Sequence, residues 1–161
     1  MTSTTRVIQA PPTAVWDVLA DGWLYPLWVV GASRMREVAS TWPETGSTLH
    51  HSIGAWPLLI DDTTEVTQSR PHEYLALRGR GWPVGEVDIE IRLRPSGAGT
   101  EVVIEEDAAA GPGVLVPEPV RGLTFRWRNV ETLRRLAYVA ERRASPSTHP
   151  DRSTGARGSS A

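Results

Sequence analysis

One long helical pattern near the C-terminal end most constrains how this chain can fold. From Val120 to Arg143 small and apolar residues recur at about 100° per residue, which predicts a single amphipathic helix. The face expected to point inward comprises Gly122, Phe125, Arg126, Asn129, Val130, Leu133, Leu136, Ala137 and Ala140. A helix of this kind must bury its stripe against another element. The preceding chain therefore has to supply the surface that covers it.

That surface is predicted to be a β-sheet, because the segment from Ser33 to Ala108 shows strand patterns separated by short turns. The clearest strand alternates Val87, Ile89, Ile91 and Leu93 with charged residues, so one face is apolar and the other is charged. A sheet with one apolar face and a helix with one apolar stripe bury each other most simply when the sheet curves around the helix.

The N-terminal part adds a short strand over Thr4–Gln9, a helix that opens at Pro11-Pro12, and a compact aromatic segment from Trp23 to Val30. The segment from Trp23 is expected to form a second short helix or a turn. The predicted fold is therefore α+β, with a curved antiparallel sheet of about six to seven strands, two short helices after strand 1, and one long C-terminal helix.

The 161 residues fit one domain, predicted to span residues 1–143. Residues 144–161 contain Ser, Thr, Pro, Gly and Arg but no large apolar side chain. Such a segment cannot bury enough apolar surface to offset its ordering entropy, so we expect a disordered tail.

Charge and composition exclude several functional classes. The formal net charge is −2, which argues against a nucleic-acid partner. All 17 basic residues are Arg, so neither a Schiff-base lysine nor a phosphate-loop lysine is present. The absence of cysteine excludes disulfides and thiolate metal sites. With no signal peptide and no long apolar run, we expect a cytoplasmic protein with no integral membrane segment. The oligomeric state stays open.

Several segments resemble the SRPBCC (START-like) superfamily, in particular its polyketide cyclase/dehydrase branch. These are the opening Val7–Leu19, the segment Trp28–Gly31, Gly99-Thr100 at the start of a strand, and Asn129–Leu133 in the long helix. The resemblance spans about residues 4–143. It implies the helix-grip fold and a cavity between the sheet and the long helix that accepts a hydrophobic or aromatic small molecule. It does not decide between enzymes and passive carriers.

A two-residue turn at Trp56-Pro57 would place His51 opposite Asp62 on neighbouring strands, both on the face that carries Ile53 and Ile60. The pair is therefore predicted to point inward. It is a candidate catalytic acid–base pair, because a carboxylate orients an imidazole and raises its basicity. The alternative is a buried polar pair with a structural role only.

Glu106 shares a face with Val102 and Ile104 and is a third inward candidate. Arg126 is expected to meet it from the helix, either to anchor a ligand or to form a structural salt bridge. Asn129 is a candidate donor to a ligand carbonyl, or a cap for a backbone group. Met35 is a candidate lining residue for the cavity.

Aromatic residues are frequent in the predicted loops and strand ends. Trp28, Trp56 and Trp82, with Trp23 and Tyr25, are candidates for an aromatic mouth around a flat ligand. No metal or cofactor is expected, because His50 and His51 are consecutive on a strand and point to opposite faces.

Three functions remain open on the sequence alone. The first is a protein that binds a hydrophobic or aromatic small molecule without chemistry. The second is a polyketide cyclase, aromatase or dehydratase that uses His51, Asp62 and Glu106. The third is a carrier or protein-interaction domain that works through the arginines of the last helix, of which Arg128, Arg135 and Arg142 are expected to face outward.

Overall fold

The computed structural model describes residues 2–55, 58–81, 85–111, 115 and 118–145. The helices are α1 (Pro12–Leu19), α2 (Tyr25–Trp28) and α3 (Glu118–Ala144), with a 3-10 turn at Gly22–Leu24 before α2. The strands are β1 (Thr2–Ile8), β2 (Ala32–Val38), β3 (Thr48–Ala55), β4 (Leu58–Arg70), β5 (Tyr74–Gly81), β6 (Gly85–Ser96) and β7 (Gly99–Ala110). Of the predicted tail, residues 146–161 lie outside the described residues.

The strands form one seven-stranded antiparallel sheet in the order β1-β7-β6-β5-β4-β3-β2. The sheet curves around α3, which packs against β1, α1 and α2. This is the predicted α+β helix-grip arrangement, and the predicted strand count is confirmed. In the part of the chain described here, no helix is both long and apolar enough to cross a membrane.

The predicted register of β3 and β4 is also confirmed. His51 pairs with Asp62, Ile53 with Ile60, and Leu49 with Thr64. Because side chains alternate along each strand, the burial of Leu49 fixes His51 on the inner face as well. The turn residues Trp56 and Pro57 lie outside the described residues.

The core forms between the inner face of the sheet and the helices. Leu75, Leu77 and Ile91 supply its floor from the sheet, and Leu133 and Leu136 cover them from α3. Each fully buried aliphatic side chain of this kind contributes roughly 1.5–3 kcal/mol relative to an exposed one. Trp16 of α1 is buried in the same core.

The later turns of α3 agree with the prediction and the earlier turns do not. Of the predicted inner face, Asn129, Leu133, Leu136, Ala137 and Ala140 are buried. Arg126 is exposed and Val130 is half-exposed, whereas Arg128 lies in the wall of the cavity. The predicted inward position of Arg126 and outward position of Arg128 are therefore both wrong, because Arg128 reaches inward through its long side chain to pair with the buried Glu106.

One close backbone approach, at Gly99, joins β7 to the edge strand β1. A Cβ at this residue would lie 2.3 Å from the carbonyl oxygen of Ile8 on β1. The neighbouring Thr100 donates its hydroxyl to the carbonyl oxygen of Ala10 at 2.7 Å. Any side chain at position 99 would force β1 away from β7.

We therefore expect Gly99→Ala to destabilise the protein by about 2 kcal/mol or more, through steric overlap with the Ile8 carbonyl. The matched control is Gly122→Ala in α3, where a Cβ meets the Thr2 hydroxyl at an ordinary 3.5 Å. That change should be neutral or stabilise by up to about 1 kcal/mol, because alanine favours a helix. Chemical denaturation of both variants measures the difference, and equal stabilities would contradict the close approach.

Candidate functional site

A cavity of about 290 Å³ lies between the inner face of the sheet and the segment that joins α2 to β2. Its apolar wall includes Val29, Ile53, Val87 and Ile89. Gly79 and Gly85 also line it, and a Cβ at Gly79 would stand 3.9 Å from Thr64 Oγ1, pointing into the space. The missing side chain at Gly79 therefore helps to keep the cavity open.

The polar wall of the cavity is a connected group of four side chains on β3, β4 and α2. His51 Nε2 lies 3.0 Å from Thr64 Oγ1 and 3.6 Å from Asp62 Oδ2. The hydroxyl of Tyr25 lies 3.3 Å from Thr64 Oγ1. All four are buried and all line the cavity. The predicted inward pairing of His51 and Asp62 is thus present, with Thr64 and Tyr25 completing it.

Two backbone hydrogen bonds to Oδ1 fix the orientation of the Asp62 carboxylate. Its Oδ1 accepts the backbone N–H of Thr63 at 2.7 Å and that of Arg80 at 3.0 Å. Its Oδ2 stays on the side of His51 and Gly79. The carboxylate is therefore oriented by the sheet backbone while one oxygen remains directed at the cavity.

Burial sets the protonation states of His51 and Tyr25, the other two titratable side chains of this group. Desolvation lowers the pKa of His51, although the nearby Asp62 acts in the opposite direction, so the imidazole is neutral at neutral pH. Burial also raises the pKa of Tyr25 to about 12, so its phenol keeps its proton. The group consequently presents a neutral imidazole, a protonated phenol and a carboxylate to whatever occupies the cavity.

An ion pair between a buried carboxylate and a half-buried arginine lies on the helix side of the cavity. Glu106, fully buried on β7, pairs with Arg128 of α3. Arg128 also faces the main cavity, where burial lowers its pKa while Tyr25 and Asp62 favour the charged form. The guanidinium remains a cation at neutral pH. Glu106 is thus inward as predicted, but its partner is Arg128 and not Arg126.

A second void, of about 20 Å³, adjoins this ion pair. Trp28 and Asn129 line it, and the atoms Trp28 Nε1 and Asn129 Nδ2 are buried without a hydrogen-bond partner in the described structure. A void of this size accommodates about one water molecule. Trp28 and Asn129, which were both predicted to contact the ligand, therefore lie next to the site, around a space too small for a ligand ring.

The other residues predicted to contact the ligand are not found in the described lining of the cavity. Trp28 is 2% exposed and packs at 5.2 Å edge-to-face against Tyr25, so it supports the cavity from behind and is not at a mouth. Met35 pairs with His51 across β2 and β3 but is not among the described lining residues. Trp56 and Trp82 lie outside the described residues. Arg126 is exposed and does not reach the cavity.

Two members of the site were not selected from the sequence. The strand pattern does predict that Thr64 points inward, because Thr64 follows Asp62 by two residues and so lies on the same strand face. The helical spacing gives no signal for Arg128, because its inward position depends on pairing with Glu106, which is distant in the sequence. Within the described residues, no three His, Asp or Glu side chains come together as a metal site.

The lowered pKa of His51 makes a prediction about stability. Above the ordinary value of 6.5 the imidazole is neutral in both the folded and unfolded chains, so His51 adds no pH dependence. Below it, the unfolded chain takes up a proton that the folded protein resists, and stability falls. His51→Gln should therefore flatten the loss of stability between about pH 6.5 and pH 5.

The control is His50→Gln, because His50 is adjacent, half-buried and on the opposite face, with Nδ1 3.0 Å from Thr63 Oγ1. Thermal unfolding followed across this pH range should give a wild-type slope for His50→Gln. A wild-type slope for His51→Gln as well would show that His51 titrates normally in the folded protein.

Comparisons with known proteins agree with this architecture. Residues 2–141 match the family described as polyketide cyclase / dehydrase and lipid transport. A search of curated proteins found no significant match.

Among solved structures, the Zhui aromatase/cyclase from Streptomyces sp. R1128 has a TM-score of 0.68 at 19% identity, over 91% of this chain and 96% of that chain. Ara h 8.0201 has a TM-score of 0.66 at 11% identity, over 86% and 96% respectively. DynU16, from the dynemicin biosynthetic locus, has a TM-score of 0.63 at 19% identity, over 87% of this chain and 46% of that chain.

At these identities the structures establish a shared fold only. The match over residues 2–141 shows that this chain belongs to the polyketide cyclase / dehydrase and lipid transport family of the SRPBCC superfamily.

Proposed function

We propose that this protein binds a small apolar ring compound in the cavity between the sheet and α3. The observation that carries the proposal is the cavity of about 290 Å³, with an apolar wall on one side and the group of His51, Asp62, Thr64 and Tyr25 on the other. Ligand sites typically combine a mostly apolar lining with a few placed polar groups. Membership of a family that includes lipid transport supports this function.

The volume indicates the size of the ligand. An engineered apolar cavity of about 150 Å³ accommodates benzene. The present cavity is about 290 Å³, which suits a bicyclic ring system better than a long acyl chain. We also propose the cytoplasm as the compartment, which the cysteine-free composition supports.

Binding of 1-naphthylmethanol, a bicyclic alcohol, tests the proposal by calorimetry. We expect a dissociation constant in the micromolar to sub-millimolar range, as for a compact ligand of this size. Gly79→Val should weaken binding by about tenfold or more, because its methyl groups would occupy the cavity beside Thr64. Valine suits a strand, and no positive φ at Gly79 opposes it.

The matched control is Thr67→Val, which adds an apolar group at an exposed position of β4. It should bind as the wild type does. Equal binding by Gly79→Val would place the ligand elsewhere, and absence of binding to the wild-type protein would contradict the proposed function.

A second candidate function is acid–base catalysis of a dehydration that makes a ring aromatic. The observation that favours it is a neutral imidazole whose Nε2 faces the cavity between Thr64 Oγ1 and Asp62 Oδ2. A neutral His51 can take the proton next to a ligand carbonyl, and the same proton then leaves with a β-hydroxyl group as water. In this proposal Asp62 supports the imidazolium, and the Glu106 pair holds Arg128 in place without transferring a proton.

The compound 3-hydroxy-1-tetralone tests this candidate, because loss of water from it gives the fluorescent 1-naphthol. If the protein is such an enzyme, His51→Gln should lower the rate by about 10²-fold or more, which is typical for loss of a general base. His50→Gln should leave the rate unchanged. If the wild-type protein produces no more 1-naphthol than buffer does, binding without this chemistry remains as the proposed function.

A further inference from the structure

The net charge of the side chains that line the cavity limits which ligands it can bind. The described lining residues include two cationic or potentially cationic side chains, Arg128 and His51, and one carboxylate, Asp62. Glu106 adds a second carboxylate immediately behind Arg128. Since burial keeps His51 neutral, two carboxylates face one guanidinium, and the group as a whole is negative.

Among the described residues, Asp62 is the carboxylate that this balance leaves without a side-chain cation of its own. The guanidinium of Arg128 is engaged by Glu106. The nearby Arg80 contributes only its backbone N–H to Asp62, while its side chain lies outside with Glu65 and Glu86 at 3.4 Å each. Arg36, across β3, pairs outside with Asp61 at 3.2 Å.

The geometry of Asp62 directs this charge toward a ligand. Two backbone N–H groups occupy Oδ1, so Oδ2 is the oxygen available to an incoming donor. Oδ2 lies beside Gly79, where the absence of a side chain leaves room for a ligand group. In an environment screened from water, an ionised carboxylate strongly favours a hydrogen-bond donor or a cation as its neighbour.

The described lining residues offer an anionic ligand no equivalent position. A carboxylate at Arg128 would place a third negative charge around one guanidinium, next to Asp62. The unpaired donors Trp28 Nε1 and Asn129 Nδ2 do not change this, because they border the void of only about 20 Å³ that also contains Glu106. That space suits one water molecule and not a ligand carboxylate.

We infer that the cavity selects ring compounds that carry an amine or another hydrogen-bond donor, which Asp62 receives at Oδ2, and discriminates against ring carboxylates. This specificity rests on the proposed binding function and names the ligand class for the same site. The structure thereby assigns Asp62 as the residue that determines specificity by charge.

Three ligands with the same ring test the inference by calorimetry at neutral pH: 1-naphthylmethylamine, 1-naphthylmethanol and 1-naphthoate. We expect the amine to bind at least about tenfold more tightly than the carboxylate, with the alcohol between them. Asp62→Asn keeps the Oδ1 acceptor for the two backbone N–H groups and removes the charge, so it should reduce the amine-to-carboxylate ratio to about threefold or less. Asp61→Asn is the matched control: Asp61 is the adjacent residue, exposed on the opposite face, and its variant should keep the wild-type ratio.

The outcomes separate the two proposals. If the wild-type protein binds the alcohol but binds 1-naphthoate as tightly as the amine, the charge specificity is wrong and the binding function stands. If none of the three ligands binds, both are wrong. The order of the three affinities in the wild-type protein tests the charge specificity even if Asp62→Asn fails to fold. If Asp61→Asn and Asp62→Asn reduce the amine-to-carboxylate ratio equally, the specificity is a general surface-charge effect and the role of Asp62 is wrong.

Discussion

The packing of α3 against the sheet determines the rest of the interior. In the second half of the helix the inner residues are apolar, with Leu136 and Ala140 fully buried in the core that the helix shares with the sheet. In the first half, Arg128 and Thr132 face the interior. These polar side chains cannot be buried in an apolar core without partners, so this half borders the cavity and the ion pair with Glu106. The change in polarity along one helix face thus separates a solid core from a site.

The Glu106–Arg128 pair carries a free-energy cost for folding, because a charge has to leave water. Taking a charge out of water costs several kcal/mol, which the attraction to its partner repays only with good geometry. Glu106 bears this cost in full, whereas the Arg128 side chain keeps 33% of its surface exposed. An apolar pair of similar volume would often be as stable, so stability alone does not explain the pair. It places beside the cavity a cation whose charge Glu106 already balances.

The sequence predicts which faces are buried better than it predicts which charged side chains pair, for a physical reason. A strand has a side-chain period of two, so fixing one buried residue such as Leu49 fixes the face of His51 and, across a short turn, that of Asp62. The helical period likewise places Leu133 and Leu136 on the buried face of α3. It does not say which arginine turns inward, because the pairing of Arg128 with Glu106 joins segments far apart in the chain. Trp28 shows the same limit: its segment is predicted as a short helix, but its burial depends on Tyr25 and the sheet.

The fold and the chemistry of this protein depend on different kinds of residue. The fold needs apolar volume at alternating and helical spacings, which many sequences provide, and structures at 11% and 19% identity share it. The chemistry depends on a few side chains whose state is set by burial. His51 is neutral because it is desolvated, and that neutrality leaves the charge of Asp62 uncompensated. Were His51 cationic, it would satisfy Asp62 internally and the wall of the cavity would be nearly neutral. The same desolvation of His51 therefore underlies both its proposed role as a base and the proposed charge selectivity of the cavity.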